Sequence, residues 1–258
     1  MTSLAPRFAP LPAGRLLETP AKPCFRYLLS INFRKVRSIR ISCDYSCFQV
    51  KDVYYQPPGT QSIILNEVSL SLRERNLGLI YGRSGSGKTT LLQLLAGLSK
   101  PTSGSIHVQR YQNDGSACQH PKLLPRERVG LVFQFPERQG GGPYLKGDLA
   151  SSLKRAISWA GLDGIPWEKD PHSLSGGYKR RLALAIQLVQ TPDLLILDEP
   201  LAGLDWKARV DIVKLLKLLK KELTILVVSH DLKELAGLVD KSWKMEMGGF
   251  LKEEPLVN

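Results

Sequence analysis

No run of about eighteen apolar residues, the length a membrane-spanning helix needs, occurs among the 258 residues of this chain. Nothing here crosses a bilayer alone, so any work at a membrane goes through a docked partner. Cysteine is scarce: Cys24, Cys43, Cys47 and Cys118 are too few for a disulfide framework in a chain this long. Cys43 with Cys47, and Cys118 with His120, lack a second ligand pair at zinc-site spacing, so they carry no metal site. Acids are almost missing from the first 43 residues, where Glu18 stands against eight basic residues. Seven of the twelve net positive charges therefore sit in that tail, and the remainder is not the footprint of a nucleic-acid binder.

The tail is arginine-rich, carries scattered Ser and Thr, and has Pro6, Pro10, Pro12, Pro20 and Pro23 to discourage stable structure. It lacks the single apolar block and small-residue cleavage site of a secretory signal. It reads as an organelle transit peptide over residues 1–45, with a plastid ahead of a mitochondrion. A disordered basic arm kept in the mature protein is the alternative. Residues 46–258, in a chain that is 43% hydrophobic, suffice for one α/β domain.

What is present is a segment with strong chemical meaning. Gly82, Arg83, Ser84, Gly85, Ser86, Gly87, Lys88, Thr89 and Thr90 fill the pattern G-x-x-x-x-G-K-[ST] between a strand-like run, Leu77 to Tyr81, and a helix-like run, Thr90 to Leu98. Glycines there let backbone N–H groups wrap a triphosphate, and the helix aims its positive dipole end at the same anion. Lys88 would reach the β- and γ-phosphates, and the Thr89 hydroxyl would hold Mg²⁺. A chance glycine-rich turn is the bland alternative.

Further strands are expected at Phe48–Tyr54, Ile63–Leu72, Ile106–Gln109 and Val129–Phe133, the last ending in Gln134. Helical periodicity covers Leu149–Ala160, and another helix starts at Gly177. The apolar strand Leu194–Leu197 ends in Asp198-Glu199-Pro200, and Leu223–Val228 ends in Ser229-His230-Asp231. Strands alternating with helices, with chemistry at strand C-termini, predict an α/β sheet with its site at the carboxyl edge. Two adjacent acids closing a buried strand need partners. Asp198 would hold the Mg²⁺ shell and Glu199 would orient the attacking water. Leu174-Ser175-Gly176-Gly177-Tyr178 precedes a helix, where Ser175 serves as N-cap, anion ligand or both. No internal repeat is present, so there is one nucleotide-binding unit.

These motifs, in this order, resemble the nucleotide-binding subunit of an ABC (ATP-binding cassette) protein, a P-loop NTPase fold with a helical subdomain, over about Phe48 to Asn258. The phosphate loop matches the family's Walker A, Gln134 its Q-loop, Leu174–Tyr178 its signature, Leu194–Glu199 its Walker B, Leu201–Asp205 its D-loop and His230 its switch histidine. Phe133-Gln-Phe-Pro-Glu-Arg-Gln139 is similar to the Q-loop of energy-coupling-factor and cobalt/nickel importer ATPases. With the tail, the chain resembles a plastid non-intrinsic ABC protein of plant subfamily I.

The resemblance implies ATP and Mg²⁺ as cofactors and a head-to-tail homo- or heterodimer of ATPase subunits. Ser175, Gly176 and Gly177 would meet the nucleotide held by the partner. Glu199, His230 and Lys88 would be catalytic, Asp205 would communicate across the dimer, and Gln134 would sense Mg²⁺ and nucleotide and link the site to a transmembrane subunit. Tyr55 would stack on adenine. A core or edge aromatic is the alternative, because Tyr54 is next door and a strand alternates faces.

Two departures stand out. Tyr178 occupies a position where most members have Gln. After Gln139 the chain goes straight to Gly140-Gly-Gly-Pro143, where relatives of this type have a longer stretch; the helical subdomain, about residues 135–190, is thus expected to be shortened. The favoured function is an ATP-hydrolysing subunit energising a membrane transporter for import of a metal ion or small cofactor in a plastid, peripheral on the inner envelope or stromal. A soluble ABC ATPase of an iron–sulfur-type assembly pathway, and a module that binds ATP without turnover, are the other readings.

Overall fold

The computed structural model describes residues 45–118, 120–133, 149–166 and 168–256. Among the described residues, ten strands fall into two sheets. The first is antiparallel, in the order β2 (Leu65–Arg73), β1 (Tyr45–Tyr55), β4 (Ser103–Tyr111), β5 (Lys122–Leu123). The second runs β10 (Leu251–Glu253), β9 (Lys241–Met245), β3 (Leu77–Gly82), β8 (Thr224–Val228), β7 (Leu194–Asp198), β6 (Val129–Val132). All its pairings are parallel except that of β10 with β9.

The expected single sheet is therefore two, and the residue pattern explains the split. In β2, Leu65, Val68, Leu70 and Leu72 are buried while Glu67, Ser69 and Arg73 are exposed, the signature of a sheet with one wet face. Every residue of β7 and β8 is buried, as befits parallel strands covered on both sides. Alternation then sorts their side chains. Leu195, Leu197, Ile225 and Val227 join one core, with Leu184, Leu188, Ile212 and Leu216 of the helical layer. Leu194, Ile196, Leu226 and Val228 join the other, with Leu91, Leu92 and Leu95 and the inner face of the antiparallel sheet. The parallel sheet is thus the middle layer of three.

Helix α1 (Lys88–Leu95) starts two residues earlier and ends three earlier than the sequence suggests. Gly97, at φ 67°, stops it, with Leu98 N–H donating to Gln93 O at 2.9 Å. Helices α2 (Leu149–Trp159) and α3 (Gly176–Leu188) lie within the span expected for the helical subdomain. Gln134 and the segment after Gln139 lie outside the described residues. Helix α4 (Trp206–Leu219), the single-turn α5 (Leu232–Leu235) and strands β9 and β10 were not foreseen. The buried Ile212, Leu215, Leu216 and Leu219 of α4 recur at helical spacing, so that signal was present. Among the described residues, no helix is long and apolar enough to cross a membrane.

Candidate nucleotide site

The loop from β3 to α1 is shaped by three glycines with positive φ: Gly82 at 148°, Gly85 at 79° and Gly87 at 104°. Gly82 is also a close-approach position, because a Cβ there would lie 2.2 Å from Met245 O of the neighbouring β9. The Lys88 ammonium folds back into the loop, donating to Gly82 O at 2.9 Å and Arg83 O at 2.8 Å. Burial lowers its pKa, opposed by the negative charges of Glu199 and Asp198. Arg83, Ser84, Gly85 and Thr89 are exposed, and Thr90 is half-buried. Ser86 is buried, and its hydroxyl has no hydrogen-bond partner. A buried polar atom without a partner calls for an explanation. Here an anion wrapped by the loop supplies one, so the donor set fits a phosphate.

Asp198 closes β7 two strands away from β3 and is buried. Burial and then the charge of Glu199 raise its pKa, while Lys88, the Thr89 hydroxyl and Arg180 pull it down. Carboxylate and hydroxyl thus converge beside the lysine, as a hard cation with oxygen ligands requires. Glu199 sits in the left-handed region at φ 47°, with its N–H on Val228 O at 2.8 Å. That conformation aims the carboxylate along the sheet edge at the turn after β8. Ser229 Oγ donates to Glu199 Oε2 at 3.1 Å, and His230 Nδ1 lies 2.9 Å from Glu199 Oε1. The His230 side chain is 69% exposed, that of Glu199 14%. The hydrogen bond to Glu199 raises the histidine pKa, with the glutamate charge adding to it.

Ser175, Gly176, Gly177 and Asp205 form a second group around the start of α4. Ser175 caps α3, accepting from Tyr178 N–H at a long 3.5 Å, and Asp205 caps α4, accepting from Ala208 N–H at 2.8 Å. A Cβ on Gly177 would lie 3.0 Å from Ala208 Cβ, so the segment packs directly on that helix. Tyr178 is exposed, with the Arg181 guanidinium 5.6 Å from its ring centre. Tyr55 is half-buried and packs against the inner core, while Tyr54, on the other face of β1, lies by Glu67.

Sequence reasoning gave no role to three residues that organise the site. Ser229 is fully buried beneath Glu199. Arg180, buried in α3, donates to Phe133 O at 2.8 Å, next to Gln134. Arg209 joins the turn after β8 to α4. Only Ser229 left a trace in the sequence, as the first residue of Ser-His-Asp.

A phosphate loop feeding a helix from the carboxyl edge of a parallel sheet, with an acid pair closing a strand of that sheet, is how P-loop nucleoside triphosphatases are built, and the chain is of that class. Within the class it belongs to the ABC transporter family, whose sequence profile matches residues 65–202, and it is an ABC-type ATPase. It is 61% identical over 267 aligned positions to the chloroplastic ABC transporter I family member 11 of Arabidopsis thaliana, covering 95% of this chain and 96% of that one. It is 37% identical over 211 positions to the energy-coupling factor transporter ATP-binding protein EcfA2 of Clostridium acetobutylicum, covering 74% of this chain and 73% of that one. Among solved structures it resembles cbiO1 from Clostridium perfringens, part of the ABC transporter complex cbiONQ, with a TM-score of 0.67 and 27% identity, covering 81% and 88% of the two chains.

Proposed function

We propose that this chain is the ATP-hydrolysing subunit of a plastid importer for a metal ion or small cofactor. The observation that carries hydrolysis is the Glu199–His230 pair, held over Ser229 at the strand ends beside Lys88 and Asp198. The importer reading is supported by the similarity to EcfA2 and cbiO1, and the plastid reading by the chloroplastic relative and the basic tail.

In this reading the loop of residues 82–90 binds the triphosphate of ATP, Lys88 leaves Gly82 O and Arg83 O for the phosphates, and Tyr55 stacks on adenine. Thr89, Asp198 and Gln134 would hold Mg²⁺, which when bound neutralises charge on the β- and γ-phosphates. Glu199 orients the attacking water and His230 holds it against the γ-phosphate. Ser175, Gly176 and Gly177 close on the nucleotide of a partner ATPase subunit, with Asp205 at the junction, and a transmembrane subunit receives the movement.

The segment after Gln139 is read as shortened by splicing or by an incomplete gene model. The 267 aligned positions with the Arabidopsis relative exceed the 258 residues of this chain, so that relative carries residues with no counterpart here. A transcript from the same locus with no extra codons between Gln139 and Tyr144 would exclude this.

Tagged Glu199→Gln protein, purified from plastid extracts with ATP present to hold the closed dimer, tests the whole reading. An integral membrane protein in the eluate supports the transporter and identifies its partner. Soluble partners alone would replace it with an assembly ATPase.

A further inference from the structure

Arg209, in the first turn of α4, reaches three separate segments. Its Nε donates to Leu204 O at 3.1 Å, in the loop ahead of Asp205. Its Nη1 donates to Asp231 Oδ1 and to Glu234 Oε1, each at 3.1 Å. Asp231 is the residue after His230, and its other oxygen, Oδ2, is buried without a partner. Its side chain is 15% exposed against 40% for Glu234, so the Asp231 contact is the drier of the two.

From Asp231 the connections lead inward. Asp231 N–H donates to Ser229 Oγ at 3.0 Å, Ser229 Oγ donates to Glu199 Oε2 at 3.1 Å, and His230 lies against Glu199 Oε1. At the other end, the Leu204 side chain lies 3.5 Å from where a Cβ on Gly176 would sit. The chain itself runs from Glu199 to Asp205 through a loop held by Ala202 N–H on Glu199 O at 3.2 Å and Leu204 N–H on Leu201 O at 3.3 Å, and the Arg209 guanidinium adds a side-chain bridge from the end of that loop to the turn bearing His230.

We propose that Arg209 is a positioning residue: by clamping Leu204 to Asp231 it fixes the turn that holds Glu199 and His230 in register, and ties their alignment to the loop bearing Asp205. The inference rests on the hydrolysis reading above. A planar fork with fixed donors can hold a carbonyl and a carboxylate at once, whereas an ammonium is a point charge without that fork. Removing the guanidinium leaves the half-buried Asp231 carboxylate without its cation and frees the turn. Misplacement of a catalytic pair on the scale of an ångström costs on the order of 100-fold in rate.

The full chain is compared as wild type, Arg209→Ala, Arg209→Lys and Glu234→Ala, in ATP turnover, thermal stability and NMR titration of His230. The expected result for Arg209→Ala is a kcat lower by roughly 10- to 100-fold with KM for ATP within about twofold, partial recovery in Arg209→Lys, and near-wild-type turnover in Glu234→Ala. The titration separates positioning from charge. Deleting a cation beside His230 raises its pKa, whereas loosening the Glu199 hydrogen bond lowers it. A fall in Arg209→Ala supports the clamp. A rise, or an unchanged kcat, overturns it. The titration needs no turnover, so a wild type that fails to hydrolyse ATP would end the hydrolysis reading while the His230 shift still reported on the clamp.

Discussion

His230 and Glu199, which end neighbouring strands, share a 2.9 Å contact in which an exposed imidazole rests on a mostly covered carboxylate. That contact lifts the histidine pKa, so the folded state binds its proton more tightly than the unfolded chain does. The resulting stabilisation is complete below about pH 6.5, the ordinary histidine value, and is lost as pH rises through the folded pKa. Wild type should therefore melt above His230→Gln in mild acid, with the gap closing as pH rises through the raised folded value. A gap that stays constant across the range would mean the pair has no proton linkage.

Asp198 makes the opposite contribution. Its carboxyl is pushed up by burial and by Glu199, so keeping it ionised at neutral pH works against the nucleotide-free fold. Asp198→Asn should raise the melting temperature of protein without nucleotide, while removing the Mg²⁺-dependent gain in melting temperature expected with ATP. Destabilisation of the nucleotide-free protein would show that the carboxylate is needed structurally.

Two helix caps should respond differently to alanine. The short Asp205 bond to Ala208 N–H predicts a loss of about 1 kcal/mol for Asp205→Ala in urea unfolding. The 3.5 Å Ser175 bond is too long to contribute much, so Ser175→Ala should cost clearly less while abolishing turnover. Equal stability losses would make Ser175 a plain structural cap.

The phosphate loop offers a matched pair of glycines. Gly85 has positive φ but open space around it, so Gly85→Ala should cost about 1–2 kcal/mol of backbone strain. Gly82→Ala adds a collision with Met245 O, a backbone atom that cannot swing away, and should cost more than about 3 kcal/mol. Urea midpoints of the two variants decide this, and similar values would show that β9 yields readily.

Much of the site was legible because its residues follow apolar strands directly. Asp198-Glu199 and Ser229-His230-Asp231 each follow a buried run, and a parallel strand delivers whatever comes next to the carboxyl edge. The phosphate loop was readable for the same reason. The two-sheet division was harder to see: β2 alternates cleanly, but Tyr45, Cys47 and Tyr54 on the outer face of β1 blur its alternation. Arg209 was invisible in principle. Its partners Leu204, Asp231 and Glu234 are joined by tertiary placement of α4, and an arginine in a lysine-rich helix gives no local sign of it.

The close seat of Gly82 on Met245, together with that of Gly249 on Ile64, where a Cβ would lie 2.1 Å from the carbonyl oxygen, has a consequence for biogenesis. The ribosome finishes every residue of the phosphate loop by Thr90, yet the Met245 carbonyl against which Gly82 rests is made more than a hundred residues later. A nascent chain stalled before Met245 would hold the whole motif and still lack the seat for Gly82. Nucleotide would then meet a fully seated loop only once Met245 has been made, as a ligand that captures the folded domain.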